Sequence, residues 1–118
     1  MTPEYRRLSD KIIISDPVID LEDIPAGKPC LDLDCGAKTR KIHLEYEFGE
    51  SPRIRFEQLA GYSCETCGDE YFSHEGLVAA WTQAQVILQG LGLENRARAL
   101  DASIQRSLRF IAEQSTLL

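Results

Sequence analysis

Cys30-Leu-Asp-Leu-Asp-Cys35-Gly36 and Cys64-Glu-Thr-Cys67-Gly68 together hold every cysteine of the chain. Four thiolates in two short-spaced pairs are the donor set of a tetrahedral Zn2+ site. Each pair clamps one edge of the tetrahedron from a single tight turn. A glycine directly follows the second cysteine of each pair. There it allows a positive φ, which turns backbone N–H groups toward the sulfurs. Cys30, Cys35, Cys64 and Cys67 are therefore the expected metal ligands, and Zn2+ the expected cofactor.

The same cysteines admit other readings. Two disulfides suit a secreted protein, but residues 1–10 are polar and charged and offer no apolar leader. A reducing cytoplasm is the expected setting. A thioredoxin-like redox pair at Cys64 and Cys67 belongs in a βαβ unit, whereas the residues before Cys64 read as a hairpin. Iron in a four-sulfur cage is barely separable from zinc by sequence.

Between the pairs the chain alternates. Ile42, Leu44, Tyr46 and Phe48 fall on one face of residues 38–48, and Lys41, His43, Glu45 and Glu47 on the other. That is the period of a half-buried strand. Gly49-Glu-Ser-Pro52 turns the chain, and residues 53–57 alternate again with Ile54 and Phe56 inward. The resulting antiparallel hairpin leaves the first cysteine pair and returns to the second. Charges at Glu45, Glu47, Glu57, Arg53 and Arg55 read as cross-strand pairs on the outer face.

After Cys67 the period becomes helical. Ser73 is an N-cap, and Leu77, Ala80, Trp81, Ala84, Ile87 and Leu88 recur at three- and four-residue spacing. Gly90 and Gly92 end this helix. A second helix is expected over 94–113, with Ala97, Leu100, Ile104, Leu108 and Ile111 on one stripe. Upstream, Lys11-Ile-Ile-Ile14 reads as a short strand stopped by Asp16-Pro17. The predicted fold class is α+β: a four-cysteine zinc ribbon with a small antiparallel sheet, followed by two helices. Residues 1–29 form an N-terminal extension containing a strand, 30–92 the zinc-ribbon domain with the first helix, and 93–118 the C-terminal helix.

The segment Leu59-Ala-Gly-Tyr-Ser-Cys-Glu-Thr-Cys-Gly-Asp-Glu-Tyr-Phe-Ser73, leading into a helix, resembles the YgiT-type zinc finger, the N-terminal zinc domain of MqsA-like antitoxins. The resemblance covers about residues 28–90. It implies a zinc-stabilised module that binds another protein, such as a toxin. Two features depart from that family. Its first pair is usually C-x-x-C near the N-terminus, and its members continue into a helix-turn-helix domain that binds DNA and dimerises. Here about 25 residues follow Gly92, too few for such a domain.

Charge and chemistry narrow the function further. Residues 61–93 carry no Lys or Arg and four acids, in a chain of net charge −6, which disfavours nucleic acid binding by a monomer. No apolar run spans a bilayer, so no membrane partner is expected. A four-cysteine site leaves no open coordination position, so the chain is not expected to be an enzyme. His74, seven residues after Cys67, is an alternative ligand, with a helix-entry role favoured. The expected function is an antitoxin-like or regulatory protein-interaction module. The competitors are a DNA-binding regulator acting as a dimer and a thiol redox or metal-transfer protein. The stripe of Leu100, Ile104, Leu108 and Ile111 suggests a homodimer through the C-terminal helices, with a helical hairpin within one chain as the alternative.

Overall fold

The structure, a computed structural model, describes residues 4–32 and 34–116. Its strands are β1 (Arg6–Leu8), β2 (Lys11–Ile14), β3 (Thr39–Phe48), β4 (Arg53–Cys64) and β5 (Glu70–Phe72). They form one sheet of order β1-β2-β4-β3, with β5 also paired to β4. The helices are α1 (His74–Gly90), α2 (Glu94–Ala99) and α3 (Asp101–Thr116), and a 3-10 turn spans Leu21–Asp23. The α+β class holds. Among the described residues no helix is long and apolar enough to cross a membrane.

Strand β4 organises the molecule. Its first half pairs with β2, its second half with β5, and its other edge with the whole of β3. The β2–β4 pairing is parallel. The expected antiparallel sheet is thus a mixed one, because the strand of the N-terminal extension inserts beside the hairpin. Ile12 and Ile14 are fully buried there. Both lie in the main core, with Ile54, Phe56 and Leu59 of β4 and the buried face of the helices.

Beyond the predicted 53–57, β4 continues to Cys64. Leu44 pairs with Leu59 and Tyr46 with Phe56, so Glu57 and Gln58 together oppose Glu45. That β-bulge shifts the side-chain parity by one. Ile54, Phe56 and Leu59 then share the helix-facing side. Ala60 and Tyr62 point to the opposite side, where Ile19, Leu21 and Ile24 cover them. The alternation breaks off in the sequence at residue 57 because it changes phase there.

Helix α1 starts as the sequence predicts: the Ser73 side chain accepts from the Gly76 N–H at 2.8 Å. Its buried face is built of Gly76, Ala80 and Ala84, followed by Ile87 and Leu88. The small residues let the helix axis approach β4 closely. A Cβ on Gly76 would lie 2.9 Å from the Ala60 carbonyl oxygen and 2.8 Å from Ser73 Oγ. Alanine is the better helix former by about 1 kcal/mol. Gly76→Ala is nevertheless expected to destabilise, since overpacking against backbone costs about 1–3 kcal/mol. A thermal melt checks the sign.

The single helix expected over 94–113 is two, broken at Leu100. Leu100 turns into the main core, and the Gln85 side-chain amide donates to the Ala97 carbonyl and the Asp101 carboxylate across the break. The Ala97 carbonyl, which also accepts from the Leu100 N–H, thus takes a second donor from α1 where the helix is interrupted. The Arg96 guanidinium donates to the carbonyls of Glu50 and Ser51, tying α2 to the β3–β4 turn. Helix α3 packs on α1 within the chain. Ile104 is 8% exposed there while Leu108 is 42% exposed, so the apolar stripe is covered only in part.

The outer sheet face carries the expected ion pairs. Arg55 meets Glu45 at 2.8 Å, Lys11 meets Glu47 at 2.9 Å, and Arg53 approaches Glu47 at 3.8 Å. The hydrogen bond from Lys11 holds the Glu47 carboxyl below its ordinary value of 4.5. Its small contribution to stability is therefore present above that value and lost as pH falls through the depressed one.

Candidate metal centre

Both cysteine turns sit at one end of the β3–β4 hairpin. Thr39, four residues after Cys35, is in register with Cys64. The hairpin therefore delivers the two turns to the same place, as the alternation between them requires.

Each turn is closed by its own backbone. In the first, Cys30 N donates to Ala37 O at 2.7 Å, and Cys35 N and Gly36 N both donate to Asp32 O. In the second, Gly68 N donates to Cys64 O and Cys64 N to Asp69 O, each at 2.8 Å. Gly36 and Gly68 have φ of +64° and +81°. An L side chain is strained in that region, so glycine is what lets each turn close.

The four sulfurs lie within 4.8 Å of one another. Across the two turns Cys30 Sγ is 3.5 Å from Cys67 Sγ, and Cys35 Sγ is 3.6 Å from Cys64 Sγ. A tetrahedron with Zn–S bonds of about 2.3 Å has an edge of about 3.8 Å. The sulfur cage therefore has the dimensions of a four-thiolate metal site, and no disulfide links its members.

The N–H groups turn toward the sulfurs as the glycine positions imply. The Cys67 N–H, and less strongly that of Thr66, donate to Cys64 and hold its thiol down to about 7. The Ala37 N–H likewise reaches Cys35, but the Cys64 sulfur and desolvation leave that thiol raised. Against the Asp69 N–H, desolvation and the sulfurs of Cys30, Cys64 and Cys35 push Cys67 up to about 12. Neighbouring sulfurs so close together resist becoming thiolates together. A divalent cation among them removes that repulsion, so the donor set fits a metal ion.

Tyr71 on β5 was not singled out in the sequence. Its hydroxyl lies 3.4 Å from Cys30 Sγ and donates to Asp69 Oδ2 at 3.0 Å. The contact with the Cys30 sulfur, then desolvation and Asp69, raise the phenol. No local signal in the sequence marks it: Tyr71 reaches the cage because β5 pairs antiparallel with the end of β4. Asp32 and Asp69 place carboxylate oxygens near the exposed Cys67 sulfur. Asp32 also accepts from the Asp34 N–H at 3.0 Å, which shapes the first turn.

His74 is not part of the cage. Its ring packs on Phe110 with centroids 4.1 Å apart, and Nδ1 lies 3.2 Å from Ser107 Oγ. The helix-entry role is the one observed, and it docks α3 onto the start of α1. Burial lowers the His74 pKa, and Lys28 adds to the effect against Glu75. The docking contribution is therefore present above the ordinary value of 6.5 and lost as pH falls through the lowered one. Amide protection in α3, corrected for the intrinsic exchange rate, should fall in acid, and His74→Phe should remove that dependence. His43 is exposed on β3. Trp81 is half-buried, its Nε1 donating to Tyr46 Oη at 3.2 Å.

The chain matches no protein-family model, no curated protein and no solved structure.

Proposed function

We propose that Cys30, Cys35, Cys64 and Cys67 hold one Zn2+ in a structural role, and that the protein is a metal-stapled interaction module. The observation that carries this reading is the sulfur cage itself, closed by two glycine-ended turns whose N–H groups face the sulfurs. Four protein ligands fill a tetrahedral zinc and leave no position for water or substrate. The metal then fixes structure rather than performing chemistry. A four-thiolate zinc site suits a reducing compartment such as the cytoplasm, which is the setting this reading takes.

The partner in this reading is another protein, of antitoxin-like or regulatory type. The acidic balance of residues 61–93 argues against phosphate contacts around the metal centre. Arg96, one of the few cations of the helical part, is already engaged with the β3–β4 turn. A titration at physiological salt against genomic fragments, including the upstream region of its own gene, should show no tight binding. Sequence-specific binding near nanomolar would replace this reading with that of a DNA-binding regulator.

Cobalt substitution tests the ligand set. Co2+ in a four-thiolate tetrahedron gives intense sulfur-to-metal charge-transfer bands and visible ligand-field bands. One equivalent of Zn2+ should bleach both. Weak, octahedral-type absorption would contradict the four-sulfur assignment.

A further inference from the structure

Strand β3 is the last strand of its sheet, and among the described residues no strand pairs with its outer edge from Arg40 onward. Which of its backbone groups face outward follows from its partner. Ala60 O accepts from Ser73 N, and Cys64 N donates to Asp69 O. Ala60 and Cys64 therefore direct their backbone groups away from β3, toward β5. His43 and Thr39 lie opposite them, so these two also point their N–H and C=O away from β4. The Thr39 N–H indeed leaves the ladder, donating to Lys28 O at 3.0 Å. The bulge lies in β4, so the parity of β3 is unbroken to its end. Lys41, His43, Glu45 and Glu47 thus present an outward row of donors and acceptors. Among the described residues no other backbone group bonds that row.

Edge strands are ordinarily guarded by charge. Here the charges run in an order that complements itself. Lys41 and His43 occupy the first half of the row, and Glu45 and Glu47 the second. We propose that β3 pairs antiparallel with β3 of a second copy of this chain, about a two-fold axis at Leu44. This surface is independent of the metal reading.

Backbone parity permits pairing only between outward residues, and the register centred on Leu44 uses all four of them. It sets Lys41 opposite Glu47 of the second copy, and His43 opposite Glu45 of the second copy, each twice. On the helix-facing side, Leu44 meets its own counterpart and Ile42 meets Tyr46 of the second copy. Ile42, Leu44 and Tyr46 are all half-buried, so each has apolar surface left to cover. Directly opposed residues of unlike charge, or of apolar and aromatic type, are the pairs that stabilise antiparallel strands. The two sheets become one, and β3 ceases to be an edge.

Sedimentation equilibrium from about 10 µM to about 1 mM spans the range expected of a modest association. It should show a monomer–dimer equilibrium. Amide exchange should change in alternation: 41, 43, 45 and 47 gain protection with concentration, while 42, 44 and 46, bonded to β4, are protected throughout. His43→Pro removes an outward N–H that β4 does not use. Lys41→Glu changes only a charge on the strand and sets a carboxylate against Glu47 of the second copy. Each should weaken dimerisation about tenfold or more, since two symmetric pairs are lost at once. A chain monomeric across the range, or a dimer unaffected by Lys41→Glu, would overturn the proposal, as would concentration-dependent protection confined to α3.

Discussion

Replacing Cys64 with serine should abolish stoichiometric metal binding and lower the melting temperature by on the order of 15 °C. Cys64 is the buried member of the second turn and receives two backbone N–H donors. Serine keeps the shape but offers a hydroxyl, a poor ligand for zinc where a thiolate is needed. In small zinc fingers the metal supplies about 10–16 kcal/mol of apparent binding energy. The contribution to stability depends on free metal, and is about 4 kcal/mol at a thousandfold excess over the dissociation constant. The loss should be local first. The main core joins β2 and β4 to the helices through Ile12, Ile14, Ile54, Phe56, Leu59, Ala80 and Ile87, and contains no cysteine. Hydrogen exchange should therefore rise steeply in 28–38 and 64–72 while the amides of β2 and α1 stay protected. Uniform loss of protection would instead mean that the cage and the core fold as one unit. An unchanged melting temperature would remove the structural role altogether.

The second large effect is expected at Gly61. A Cβ there would lie 2.4 Å from the Tyr71 carbonyl oxygen, 2.7 Å from Leu44 Cδ1 and 3.3 Å from Phe72 Cα. Leu44 is a side chain and can rotate, but the other two atoms are β5 backbone. Gly61 and Phe72 are paired in the ladder, so relief requires β5 to move off β4. Gly61→Ala should cost about 3 kcal/mol, the upper part of the range for overpacking. Because β5 carries Tyr71, whose hydroxyl approaches Cys30, the same substitution should weaken metal retention. Competition with a chromophoric chelator measures that, and a melt measures the stability. A neutral alanine at this position would show that the close approach of β5 is not a constraint.

Much of this was legible in residue order. The glycines after Cys35 and Cys67, the strand of Ile42, Leu44, Tyr46 and Phe48, and the Ser73 cap each act through local geometry, which sequence records directly. What escaped the reading depends on contacts between distant segments. The three isoleucines of β2 announce a strand, but nothing local says that its neighbour is β4 in parallel. The bulge at Glu57 and Gln58 reverses the phase of the alternation, so the pattern recognised over 53–57 does not carry into the second half of β4. The break at Leu100 is made by the core and by Gln85, ten or more residues away along the chain. Tyr71 belongs to the metal centre only because β5 folds back beside β4.

The most direct test of the account is the metal content of protein purified in reducing buffer without chelator. Native mass spectrometry with elemental analysis should find one zinc per chain, lost in Cys30→Ser, Cys35→Ser, Cys64→Ser and Cys67→Ser alike. A fully folded, metal-free chain that binds no zinc on titration would contradict it.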